Sequence, residues 1–311
     1  MTKEDLTNCY DRIKPYVHHT PVLTSDLINK RAGAELYFKC ENFQRAGAYK
    51  IRGATNAIMQ LSKDQQQKGV VTHSSGNFAQ ALSLAAKSLQ IKAYIVMPSN
   101  SPKVKKNAVL EYGGEVIECE PTIEARQTSA NHIAKTTGAT FIHPSNNLNV
   151  ILGQGTSGLE LLSEHPDLDY IVCPIGGGGL IAGTALAATY FSNHCKVIGG
   201  EPEEADDAYR SLISGKIETN SSANTIADGL RTHLGSHNFP IIKKHVKQII
   251  RVKESEITIA MQLIWERMKI IIEPSSAVAF AAVLKDKEAF KSKKIGVIMS
   301  GGNVDVNNLP F

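Results

Sequence analysis

Nowhere does the sequence hold an apolar run near the roughly 18 residues that a membrane-spanning helix requires. Its charged opening, Met1-Thr2-Lys3-Glu4-Asp5, lacks the apolar stretch of a secretory signal, so a cytosolic protein with no membrane partner is expected. Cysteine is sparse: Cys9, Cys40, Cys119, Cys173 and Cys195 stand far apart and form no C-x-x-C pair or disulfide-like rhythm, which predicts reduced, mostly structural thiols. Charge of one sign never accumulates. The net charge of +4 is spread, and the short groups Lys103 to Lys106 and Lys291 to Lys294 read as solvated faces, so no nucleic-acid partner is expected. Repeats, low-complexity stretches and a visible linker are also missing, so any division into domains must come from topology.

What is present is the content of a globular protein, 42% hydrophobic and 21% charged over 311 residues, long enough for one large α/β domain or two intertwined ones. Runs rich in β-branched residues at 35–41, 69–74, 92–97, 115–119, 140–143, 170–175, 196–199 and 294–299 read as strands. Between them, 79–89, 151–162, 181–191 and 257–268 carry apolar residues at helical spacing. That alternation predicts parallel-rich sheets flanked by helices. Thr2 and Asp5 form a candidate capping box for a first helix that Pro15 would stop.

Two glycine clusters follow apolar strands: Gly176-Gly177-Gly178-Gly179-Leu180 and Ser300-Gly301-Gly302-Asn303. Four successive glycines ahead of a helix let the backbone approach an anion, where free N–H groups and the positive helix end converge. No Lys-Ser/Thr pair follows, which excludes the P-loop of nucleotide hydrolases. A rival fits the same residues. Gly177-x-Gly179-x-x-Ala182 matches a loose dinucleotide fingerprint, with Glu201 at the end of the next strand as its ribose ligand, although half the chain precedes it. An empty glycine turn is the poorest account, because four glycines cost backbone entropy without packing in return.

Two further segments stand out. Lys50, in Gly47-Ala48-Tyr49-Lys50-Ile51-Arg52-Gly53-Ala54, reads alone as a surface lysine. In Thr72-His73-Ser74-Ser75-Gly76-Asn77, a strand end turns into a helix, where hydroxyls and free N–H groups suit a carboxylate or merely cap the helix.

Together with Glu273-Pro274-Ser275-Ser276, these motifs stand in the order and spacing of one family from about Ile13 to Val306. The chain resembles the serine racemase and serine/threonine dehydratase family of fold-type II pyridoxal 5'-phosphate (PLP) enzymes, whose fold is tryptophan synthase β-like. The resemblance implies that Lys50 holds PLP covalently and moves the substrate α-proton on one face, with Tyr49 flanking the ring. It also implies that Asn77 donates to the ring hydroxyl, that Gly176, Gly177, Gly178, Gly179 and Leu180 hold the phosphate, and that Ser300 partners the ring nitrogen. Ser75 would carry a proton on the opposite face; many threonine dehydratases have alanine there, so serine permits racemisation without proving it. Ser74, Ser75, Asn77 and Arg126 are the implied substrate contacts.

By the same resemblance Glu201, Ala205 and Asp207 match a site for Mg²⁺ or Ca²⁺, and Tyr112, Lys269 and Asn303 match an ATP effector site between subunits. Departures from the family pattern lie at Phe78, Ala79 and Ser145. Arg231 and His233 either meet a second substrate carboxylate, as in 3-hydroxyaspartate or aspartate, or point to solvent.

The expected activity is serine racemisation with L-serine/L-threonine dehydration. The alternatives are a 3-hydroxyaspartate dehydratase or aspartate-directed racemase of the same fold, and a dinucleotide-binding protein. Two domains are expected, a small one at 69–146 inserted into a large one of 1–68 and 147–311, in a homodimer. So few residues follow Val306 that feedback through a C-terminal amino-acid-sensing domain is not expected.

Overall fold

The computed structural model describes residues 1–311. Ten strands follow in chain order: β1 Val22–Leu23, β2 Glu35–Cys40, β3 Val70–His73, β4 Ala93–Pro98, β5 Glu115–Cys119, β6 Thr140–Phe141, β7 Tyr170–Pro174, β8 Lys196–Pro202, β9 Val246–Val252 and β10 Lys294–Met299. They form a six-stranded sheet in the order β1-β2-β10-β7-β8-β9 and a four-stranded sheet in the order β5-β4-β3-β6. Every pairing is parallel except that of β1 with β2. The fold is α/β, with parallel-rich sheets flanked by helices.

Parallel strands need both faces covered, and the burial alternates accordingly. On the larger sheet Val172, Ile198, Val252, Ile295, Val297 and Met299 enter one core with the helices Glu254–Met268 and Pro274–Lys285. Their alternates Ile171, Cys173, Val197, Ile249 and Ile298 enter a second, with the helices Lys3–Ile13, Leu148–Glu164 and Gly179–Phe191. The smaller sheet splits likewise, Val70, Ala93, Ile95 and Met97 packing with the helix Asn77–Ser88, and Val71, Tyr94 and Val96 with the helix Ile123–Thr137.

The first helix carries the expected reciprocal Thr2/Asp5 box, ends at Ile13 and is followed by a 3-10 turn containing Pro15. All five cysteines are free, and burial raises the thiols of Cys9, Cys40 and Cys195 to about 12. The basic group at 103–106 differs from the solvated face expected of it. Lys106 pairs with Glu118 at 2.5 Å, and Lys105 pairs with Asp228 at 2.6 Å, a contact that joins the helix Lys103–Glu111 to the turn Asp228–Leu230. No helix is long and apolar enough to cross a membrane.

Candidate active site

Lys50 is the first residue of the helix Lys50–Met59, and the segment before it is stitched to the second glycine cluster. Tyr49 N–H donates to the Ser300 carbonyl (3.1 Å), Gly302 N–H to the Gly47 carbonyl (2.9 Å) and the Asn303 amide to the Ala46 carbonyl (2.8 Å). These bonds set Lys50 beside the end of β10 although 250 residues separate Lys50 and Ser300, which is why no local signal could announce the site.

Lys50 is half-buried as a residue, and its amine is ringed by protein. Its one hydrogen-bond acceptor is the Pro144 carbonyl at 3.4 Å, and desolvation lowers its pKa to about 8 against the opposing pull of Glu273. Roughly a tenth of the amine is then neutral at pH 7, far more than for a solvated lysine. Behind it, on the same helix, Arg52 is fully buried, with both Glu41 oxygens (2.7 and 2.8 Å) and both Glu160 oxygens (2.8 Å each) around its guanidinium. Lys39 closes the cluster at 2.8 Å from Glu160, so the helix start is fixed by a compensated ionic quartet.

The tetraglycine turn lies between β7 and the helix Gly179–Phe191. No amide from Gly176 to Ile181 donates to a protein acceptor, though all of these residues except Gly177 are buried. Gly178 has φ +78, a left-handed conformation that favours glycine. A Cβ at Gly176 would lie 2.6 Å from Leu230 Cα and one at Gly179 3.1 Å from Ser145 Cα, backbone atoms that cannot swing aside, so side chains there would push the neighbouring segments apart. A row of buried, unpartnered N–H groups at a helix start suits an anionic group such as a phosphate.

Asn77, first in the helix Asn77–Ser88, is held at both ends. Its amide donates to Glu273 at 2.8 and 3.1 Å, and its carbonyl accepts from Asn303 at 3.0 Å. Glu273 is 4% exposed, and burial, helped by the negative charge of Asp228, raises it to about 7. Sequence reasoning gave Glu273 no role of its own. Ser74 and Ser75 are half-buried between the end of β3 and this helix. Arg126 lies on the helix Ile123–Thr137, on the other face of the smaller sheet, with its Nε buried and unpartnered. Phe78 and Ala79 fill the apolar core beneath.

His143 is a further residue the sequence did not announce. Its Nδ1 accepts the N–H groups of Ser145 (3.2 Å) and Asn146 (2.9 Å), setting the loop whose Pro144 carbonyl meets Lys50. Burial and the neighbouring His73, Lys50 and His237 lower its pKa to about 4, so the ring is neutral.

Glu201, in the last residues of β8, and Ala205 and Asp207, just beyond that strand, are all fully buried. Both Glu201 oxygens accept backbone N–H groups, from Ala208 (2.9 Å) and Tyr209 (2.8 Å), and the side chain is fully buried, so no ribose can reach it as the dinucleotide reading requires. Burial and the Asp207 charge raise the pKa of Glu201 well above the ordinary carboxylate value, and burial also raises that of Asp207. Arg231 donates to the Thr225 carbonyl (3.1 and 2.5 Å), and His233 Nε2 accepts from the Asn220 N–H (3.1 Å). Both hold local loops.

Residues 13–301 match the family model described as pyridoxal-phosphate dependent enzyme. The chain is 50% identical to the serine racemase of Dictyostelium discoideum, over 99% of this chain and 97% of that protein. It is 47% identical to the beta-hydroxyaspartate dehydratase of Paracoccus denitrificans, over 100% and 98%. The crystal structure of T.th. threonine deaminase superposes with a TM-score of 0.93 at 39% identity, covering 98% of this chain and 99% of that one.

Proposed function

The chain belongs to the family of pyridoxal-phosphate dependent enzymes, and on that footing we propose that it is a serine racemase that also dehydrates L-serine and L-threonine. One observation carries the reading: Lys50, its pKa lowered to about 8, meets the Pro144 carbonyl, and the next residue, Ser145, lies against the row of unpartnered backbone amides suited to an anionic tail. PLP, when bound, supplies an electron sink that makes the α-proton of an amino acid removable.

Lys50 would hold the cofactor and, once released by the incoming amino acid, take or return the α-proton as a neutral amine. The amides of Gly176 to Leu180 would hold the phosphate, Tyr49 would flank the ring and Ser300 would stand by its nitrogen. Asn77 would face the ring hydroxyl, with Glu273 and Asn303 fixing its carboxamide. Ser74 and Arg126 would receive the substrate carboxylate, and the Ser75 hydroxyl would exchange the proton on the opposite face, giving D-serine. Loss of the β-hydroxyl as water instead leads, after hydrolysis, to a keto acid and ammonia.

Glu201, Asp207 and the Ala205 carbonyl form a donor set suited to a hard cation such as Mg²⁺ or Ca²⁺, whose charge would offset two buried carboxylates. ATP as an effector near Tyr112, Lys269 and Asn303, a homodimer, a cytosolic location, and a small domain over 69–146 complete the proposal. Incubation with L-serine, L-threonine and 3-hydroxyaspartate, with chiral analysis and keto-acid assay, tests it; exclusive turnover of hydroxyaspartate would replace it with the dehydratase reading. Arg231 and His233, the residues expected to meet a second carboxylate, are both engaged elsewhere, which favours serine.

A further inference from the structure

Asn238 is fully buried behind the tetraglycine turn, with three hydrogen bonds to three segments. Its Nδ2 donates to the Gly177 carbonyl (2.8 Å) and the Ser145 carbonyl (3.2 Å), and its Oδ1 accepts the Gly235 N–H (3.0 Å). The two Nδ2 hydrogens are thereby used, one toward each carbonyl. The Gly177–Gly178 peptide is trans, so drawing the Gly177 carbonyl onto Asn238 turns the Gly178 N–H to the opposite side. That N–H is one of the unpartnered row. The bond to Ser145 sets the other wall, for Ser145 Oγ and Cα stand 2.5 and 3.1 Å from where Cβ atoms on Gly177 and Gly179 would lie.

We propose that Asn238 is the positioning residue of the anion cup: its amide fixes the Gly177 peptide and the Ser145 wall so that the turn presents its N–H groups to the cofactor phosphate. This rests on the reading that the phosphate of PLP lies in the turn. Asn238 touches no reacting atom and acts through backbone orientation. An aspartate of the same shape would set carboxylate oxygen against two carbonyls, losing both donors.

The test compares apoprotein affinity for PLP with that for pyridoxal, which lacks the phosphate, by spectroscopic titration of the full chain. Wild type should prefer PLP strongly. In Asn238→Asp and Asn238→Ala, PLP affinity should fall at least ten-fold while pyridoxal affinity stays within about two-fold. Asn238→Ser keeps one shorter donor and should fall between, and it carries the comparison if the other two do not fold. PLP affinity unchanged in every folded variant, or equal loss for both ligands, would overturn the inference while leaving the cofactor reading intact. A wild type that does not prefer PLP would remove the cofactor reading, and the inference with it.

Discussion

The carboxamide of Asn77 donates to both oxygens of Glu273, at 2.8 and 3.1 Å, across 196 residues of sequence. Glu273 is the more sensitive partner, because burial raises its pKa from 4.5 to about 7. A folded-state carboxyl with a raised pKa makes the protein less stable as pH rises from about 4.5 through 7, by about 3 kcal/mol in all. Apoprotein carrying Glu273→Gln should therefore show a flatter Tm between pH 5 and 8 than wild type. An unchanged slope would mean that Glu273 does not titrate in this window.

Lys50→Ala should abolish the near-visible absorbance of protein grown with ample vitamin B6, and lower turnover by about 10³-fold or more. In wild type, borohydride reduction followed by peptide mapping should find a pyridoxyl group on Lys50. A label on any other lysine would refute the assignment.

Ser75→Ala should cut D-serine formation by about 10²-fold or more, while elimination from L-serine keeps at least a tenth of its rate. Both rates are read from one reaction, by chiral chromatography and keto-acid assay. Parallel loss of the two would contradict a proton carrier on each face.

His143 is held neutral with a pKa near 4, against an ordinary value of 6.5. The unfolded chain binds the extra proton first, so stability conferred by the neutral ring is full above pH 6.5 and is lost as pH falls through 4. His143→Asn keeps an acceptor for the Ser145 and Asn146 N–H groups without a titrating ring. Its Tm should fall less than that of wild type between pH 6.5 and 4; a parallel fall would exclude His143 as the acid-sensitive group.

Much of the scaffold is legible in the sequence, because β-branched runs and helical spacing act locally. β5 and β10 lie at the expected residues, and β3, β4 and β7 lie within one residue at each end. β8 runs three residues further than its β-branched core, through Gly200 to Pro202. The two-residue β1 and the mixed-polarity β9 give too little pattern, and the helix that starts at Lys50 is absent from the expected set. Within the site, the ordered motifs point to Lys50, Asn77 and the tetraglycine turn, whereas Glu273, His143 and Asn238 do not declare themselves. Each is a single polar residue whose meaning comes from burial and from partners brought in by the fold. Lys105 shows the same limit, since Asp228, its partner, lies 123 residues away.

The quartet of Arg52, Glu41, Glu160 and Lys39 also constrains how the chain can be altered. Removing one member strands a charge in the interior at a cost of about 3–5 kcal/mol, whereas replacing the group together with apolar residues of matching volume can be neutral or better. Single-substitution scans should therefore record four intolerant positions behind Lys50 even if none contributes to the chemistry. Only simultaneous exchange would separate an epistatic lock from a functional need, and libraries meant to reshape the cleft should vary these four codons as a block.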